Sequence, residues 1–144
     1  MRGHAFRLLG VVAVLASCAA ASAAASPWAV KADAVCAAWH KKSVAIFGAH
    51  PQKPTTAKQI FVFLVKSRKV ETGILADLKR ISVPPPPAAA RALSAAAADV
   101  HELSVVIGGY GAVSNAEFKR DFLAWANDNR ANRAFVAAGA RGCA

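Results

Sequence analysis

Residues 84–87 are four consecutive prolines, and no regular element can run through them. Proline has no amide donor and a fixed φ, so it breaks a helix interior and is excluded from a central strand. The run is therefore a stiff corner between two separate elements. On both sides of it apolar residues recur at helical spacing. Upstream, Ile60, Phe63, Leu64, Val70, Ile74, Leu78 and Ile81 share one face; downstream, Leu93, Ala96, Val100, Leu103 and Ile107 do. Residues 60–65 alone would pass for a buried strand, but the periodicity continues past them and no partner strand is evident. Alanine, the best helix former, fills 36 of the 144 positions and permits close approach of helices.

Start and stop signals divide the rest. Ser26 followed by Pro27 is an N-cap with proline at the first helical position, opening helix one. Its stripe is Trp28, Ala32, Val35, Trp39, Ser43 and Ile46, with Cys36 at the edge, and Gly48 and Pro51 stop it. Thr56-x-x-Gln59 is a capping box opening helix two, which is expected to run to about Ser82. Helix three is expected over 88–107, ended by Gly108 and Gly109. Ser114-x-x-Glu117, a second capping box, opens helix four, which Gly139 closes. Phe118, Phe122, Trp125 and Val136 share its apolar side. Asn129 and Asn132 fall there too, which predicts a kink or a half-exposed stretch near 127–130. Short connections favour antiparallel neighbours, so the expected fold is all-α, a four-helix up-down-up-down bundle in a single domain over 27–144.

Residues 1–17 read as a signal peptide. Arg2 and Arg7 make a positive start, and Leu8 to Ala16 is an uncharged apolar core of nine residues, short of the roughly 20 a membrane span needs. Leu15-Ala16-Ser17-Cys18 resembles a bacterial lipobox, which makes Cys18 the expected lipidation site, with 18–26 as a tether. The alternatives are cleavage after Ala25, giving a secreted chain that starts at Ser26, and an uncleaved anchor. With Cys18 lipidated or removed, Cys36 and Cys143 remain, an even number in an exported chain. One Cys36–Cys143 disulfide is the expected pairing, in place of two free thiols. The bundle topology supports it independently, because the start of helix one and the end of helix four share a pole.

An exported leader, an early helical cysteine, a long amphipathic helix into a proline-rich corner, an alanine-rich helix and a terminal Gly-x-x-x-Cys occur in that order. Cys36, the segment 74–87 and Gly139-Ala-Arg-Gly-Cys143 carry those marks. In this the chain resembles small secreted or lipid-anchored helical proteins of high-GC bacteria such as actinobacteria. The resemblance covers about residues 30–144 and implies neither an activity nor any site residue.

No catalytic motif is present, and a non-catalytic role is expected. No serine stands in a Gly-x-Ser-x-Gly turn, and Glu71, Asp77, Asp99 and Glu102 read as isolated carboxylates. Cys36-Ala-Ala-Trp39-His40 is one cysteine short of a haem attachment sequence, and His40 with His101 would have to ligate haem across the bundle. Cys36, His40, His101 and Cys143 form a formal zinc set that a disulfide would consume. No cofactor is therefore expected. Charge is the most distinctive remaining feature. Losing Arg2 and Arg7 with the leader takes 18 basic residues to 16 against 8 acidic ones, a net of +8. Lys58, Lys66, Lys69 and Arg80 cluster opposite the apolar stripe of helix two, which suits anionic lipids or envelope polymers, against the plainer reading of a solvated face. Nucleic acid is not an expected partner, given export and a single tyrosine. The expected role is a lipid-anchored or free envelope binding module. The alternative is a periplasmic or extracellular carrier or sensor of haem or an apolar small molecule between the helices.

Overall fold

A computed structural model describes residues 25–49 and 52–144. The leader, Cys18 and most of the tether lie outside the described residues. The elements are α1 (Pro27–Phe47), α2 (Ala57–Lys79), α3 (Pro87–Gly108), α4 (Asn115–Asn127) and α5 (Arg130–Ala137), followed by a 3-10 turn at Arg141–Cys143. The chain is an all-α bundle of four antiparallel arms, the fourth of which is broken into α4 and α5.

Local chemistry sets most of the boundaries. The Ser26 hydroxyl accepts the Ala29 N–H at 3.2 Å, with Pro27 at the first helical position. Both capping boxes form: Thr56 with Gln59, and Ser114 with Glu117. α3 starts on prolines, Pro86 as cap residue and Pro87 inside, without a side-chain cap. α2 ends at Lys79, three residues short of the expected Ser82, and the next two amides bond back to Asp77, Leu78 and their neighbours before the proline run. Gly139 at φ +79° turns the chain out of α5, a conformation that side chains rarely adopt.

The bundle has two apolar cores. One joins Trp28, Ala29, Ala32 and Cys36 of α1 to Leu78 at the end of α2, Ala89 and Ala92 at the start of α3, and Phe135 of α5. The other joins Ala57, Ile60 and Leu64 at the start of α2 to Leu103 near the end of α3 and Phe118 of α4. Phe61, Phe63, Phe122 and Trp125 pack round the second. Opposite ends of successive helices meet in each core, which is what an up-down-up-down order requires. Small alanines in the first core let α3 and α5 approach closely and let the turn after α5 pack on α1.

The break in the fourth arm corrects one sequence expectation. Asp128 is extended (φ −71°, ψ 128°), and its Oδ1 accepts the Arg130 N–H at 2.9 Å, an Asx turn that leads the chain into α5, whose N-cap Asn129 makes no side-chain bond. The break resets the helical phase. Phe135 is therefore buried, and Val136, expected on the inward side, is exposed.

Trp39 clamps α1 to α2. Its indole N–H donates to Asp77 Oδ2 at 2.8 Å, and the Lys42 ammonium sits 4.2 Å from the ring centre. The ring packs against Gly73, where a Cβ would come within 2.1 Å of it. Gly73→Ala should therefore lower the thermal midpoint, because overpacking costs about 1–3 kcal/mol against a helix-propensity gain of about 1. Gly108→Ala, whose Cβ meets open space, should leave it unchanged or raise it. Equal midpoints for the two variants would refute the clamp.

Candidate functional site

Cys36 and Cys143 form a disulfide with Cα atoms 5.2 Å apart and a sequence separation of 107. Cys36 is buried in α1, and the segment after α5 folds back over it, where the Gly142 N–H donates to Asp33 Oδ1 at 2.7 Å. The bond suits an oxidising, exported environment. It also removes both sulfurs from the formal zinc set. His40 and His101 are exposed, on α1 and α3. Among the described residues, no helix is long and apolar enough to cross a membrane.

A groove of about 330 Å³ opens between the end of α1 and the start of α2. Phe47, Val62 and Phe63 make its apolar floor, with the two rings 5.3 Å apart, and Lys53, Lys58 and Lys66 stand around it. The Lys66 ammonium lies 6.0 Å from the Phe47 ring centre. Two of the four basic residues expected on helix two, Lys58 and Lys66, thus share a groove. Lys69 is exposed on α2 outside it. Arg80 stands near the far end of α2, ion-paired with Asp77 at 3.1 Å. That carboxyl is held below its ordinary range, first by the Trp39 indole and then by Lys42 and Arg80. Lys53 was not legible as a member, because it sits in the loop before α2 and follows no helical register.

The second feature is a polar waist between the two cores. A cavity of about 330 Å³ lies there, walled by α1, α2, α3, α5 and the segment that carries Cys143. Glu71 of α2 and Asp99 of α3 line it. The Glu71 carboxyl is pushed up to about 8, chiefly by burial and then by the charge of Asp99, and its Oε2 is buried without a hydrogen-bond partner. Asp99 is also raised, first by burial and then by Asp128 and Glu102, with Arg130 opposing. The Trp125 indole N–H approaches Asp99 and restrains the rise, although it does not reach full hydrogen-bond geometry.

Asp99, Glu102 and Asp128 bring carboxylate oxygens within 4.8 Å of one another. Arg130 neutralises much of this trio. Its Nη2 lies 2.5 Å from Glu102, and its Nε 2.5 Å from Asp128. These contacts correct the reading of Glu71, Asp99 and Glu102 as isolated carboxylates. Asp99 and Glu102 are three residues apart on α3 and already share a helix face in the sequence, but the approach of Glu71 depends on the register between α2 and α3.

Fold and site together define a disulfide-closed helical bundle with a basic groove at one end and an acidic cavity at its waist. No protein-family profile, curated protein or solved structure matches this chain.

Proposed function

We propose that this chain is a non-catalytic module of the cell envelope that settles on an anionic surface through the groove between α1 and α2. The observation that carries the reading is the aromatic floor formed by Phe47 and Phe63 with Lys53, Lys58 and Lys66 around it. Lysine stems cover apolar surface while their ammonium groups reach outward, which is the arrangement of a side chain at a lipid headgroup boundary. Val62 and Val65, 46% and 38% exposed, extend the apolar surface of α2. The disulfide supports export, and the Leu15-Ala-Ser-Cys18 run supports a lipid on Cys18 as the anchor that this basic groove would orient.

The test removes the lipid. A chain starting at Ser26 should sediment with vesicles containing phosphatidylglycerol at low salt and be released as salt rises, because screening shortens the reach of exposed charges to about 8 Å at physiological ionic strength. Lys53→Glu with Lys66→Glu should reduce binding several-fold, whereas Lys119→Glu on α4 should not. Equal binding to neutral and anionic vesicles would overturn the proposal.

The carrier reading, with the ligand held between the helices, is favoured by a different observation, the waist cavity.

A further inference from the structure

We propose that the cavity at the waist is a binding site for a small organic amine, whose ammonium group pairs with Glu71 while its apolar body lies against Ile74, Val100 and Phe135. Three properties of the cavity define that ligand. Its acidic side chains are Glu71 and Asp99, and no lysine or arginine lines it, in a chain that carries 18 basic residues. Its only other titratable lining side chain is His40, which is exposed on α1. The lining is therefore acidic in a molecule that is basic as a whole, and Asp99 together with a Glu71 that can give up its proton favours a cation.

The second property is the unpartnered oxygen. Glu71 Oε2 is buried and accepts no hydrogen bond. A buried acceptor left without a donor costs about 1–3 kcal/mol, and an ammonium N–H supplies both the donor and the countercharge. Third, most of the remaining wall is apolar, with Ile74, Leu75 and Val100 beside Phe135 and the disulfide, while Ser43 and Asn132 add neutral polar groups. A volume of about 330 Å³ stands at the small end of the roughly 300–1,000 Å³ typical of ligand pockets. A hard metal ion fits this less well, because it demands six or more oxygen ligands. The neighbouring carboxylates that could add them, Glu102 and Asp128, are already held by Arg130.

Entry of an amine would also move a proton. Burial and Asp99 hold Glu71 in its protonated form up to about pH 8. Pairing with an ammonium group stabilises the carboxylate, so binding near pH 7 should release a proton from Glu71. Asp99 on α3 and His40 on α1 are the other titratable groups at the cavity, and Arg130 stands behind Asp99.

Benzylamine is a suitable probe, with benzyl alcohol as its uncharged counterpart. Calorimetry on the intact disulfide-bonded protein at pH 7 should show saturable, one-to-one binding of benzylamine, with an enthalpy that depends on the ionisation heat of the buffer. Fluorescence should respond as well, since Trp39 lines the cavity. Benzyl alcohol should bind at least about tenfold more weakly, and Glu71→Gln should weaken benzylamine by about tenfold or more, as expected when one member of a buried charge pair is removed. Asp121→Asn, on the outer face of α4, should leave binding unchanged. Absence of saturable benzylamine binding at millimolar concentration, equal affinity for the alcohol, or full affinity in Glu71→Gln would each overturn the proposal. Vesicle binding through the basic groove is measured separately and stands or falls without it.

Discussion

Replacing Glu71 with Gln should stabilise the protein at alkaline pH by several kcal/mol and change it little at pH 4. Glutamine keeps the shape of the side chain and cannot ionise. In the wild type the folded-state value is about 8 against an ordinary 4.5, so the folded molecule binds this proton more tightly than the unfolded chain does. Below about pH 4.5 both states are protonated and the favourable contribution is fully present. It is lost as pH rises through the window from 4.5 to about 8, and at about 1.4 kcal/mol per unit the loss is roughly 5 kcal/mol. Denaturant unfolding across pH 4–9 measures it directly. The wild-type midpoint should fall relative to the variant across that window, and parallel curves would show that Glu71 is ionised in the folded state.

The disulfide carries the other large effect. Closing a loop of about 100 residues is worth about 4.7 kcal/mol on the chain-entropy account, a large part of the 5–15 kcal/mol typical of a domain. Cys143→Ser should lower the thermal midpoint by roughly 15 °C. The loss includes more than chain entropy, because without the bond the Gly142 amide is no longer held against Asp33. A reductant should bring the wild type down to the variant and leave the variant where it is. A drop of only a degree or two would mean that packing around Ala29, Ala32 and Phe135 holds the segment after α5 without help.

The features legible in the sequence are those encoded locally. The capping boxes at Thr56 and Ser114, the cap at Ser26 and the proline corner each involve residues within a turn of one another, and each forms as expected. The disulfide was legible for a different reason, since cysteine parity needs no knowledge of packing. What escaped depends on relationships between elements. The break at 128–129 falls where the sequence predicts a kink, but the change from Val136 to Phe135 as the buried residue depends on how far that break rotates α5 against α3. Trp39 was read as part of an apolar stripe, and its real surroundings, Gly73 and Asp77, lie on another helix. Glu71 and Asp99 are 28 positions apart, and only the offset between α2 and α3 puts them at one cavity. Lys53 joins Lys58 and Lys66 only because the loop before α2 passes the end of α1.

Two cores, spanned by α2, α3 and the broken fourth arm, also make the molecule mechanically uneven. The half around Trp28 is covalently closed, so its helices cannot separate far even when they loosen. The half around Phe118 has no such tie; aromatic packing of Phe118 on Tyr110 and Phe61, and of Phe122 on Phe63, holds α4 in place. Opening that costs the least free energy therefore begins at α4, the segment of 13 residues between the turn at Gly111 and the break at Asp128. A protease that cuts whatever opens would therefore reach the chain first where α4 lifts from α2 and α3, and the covalent bond at the opposite pole contributes little protection there.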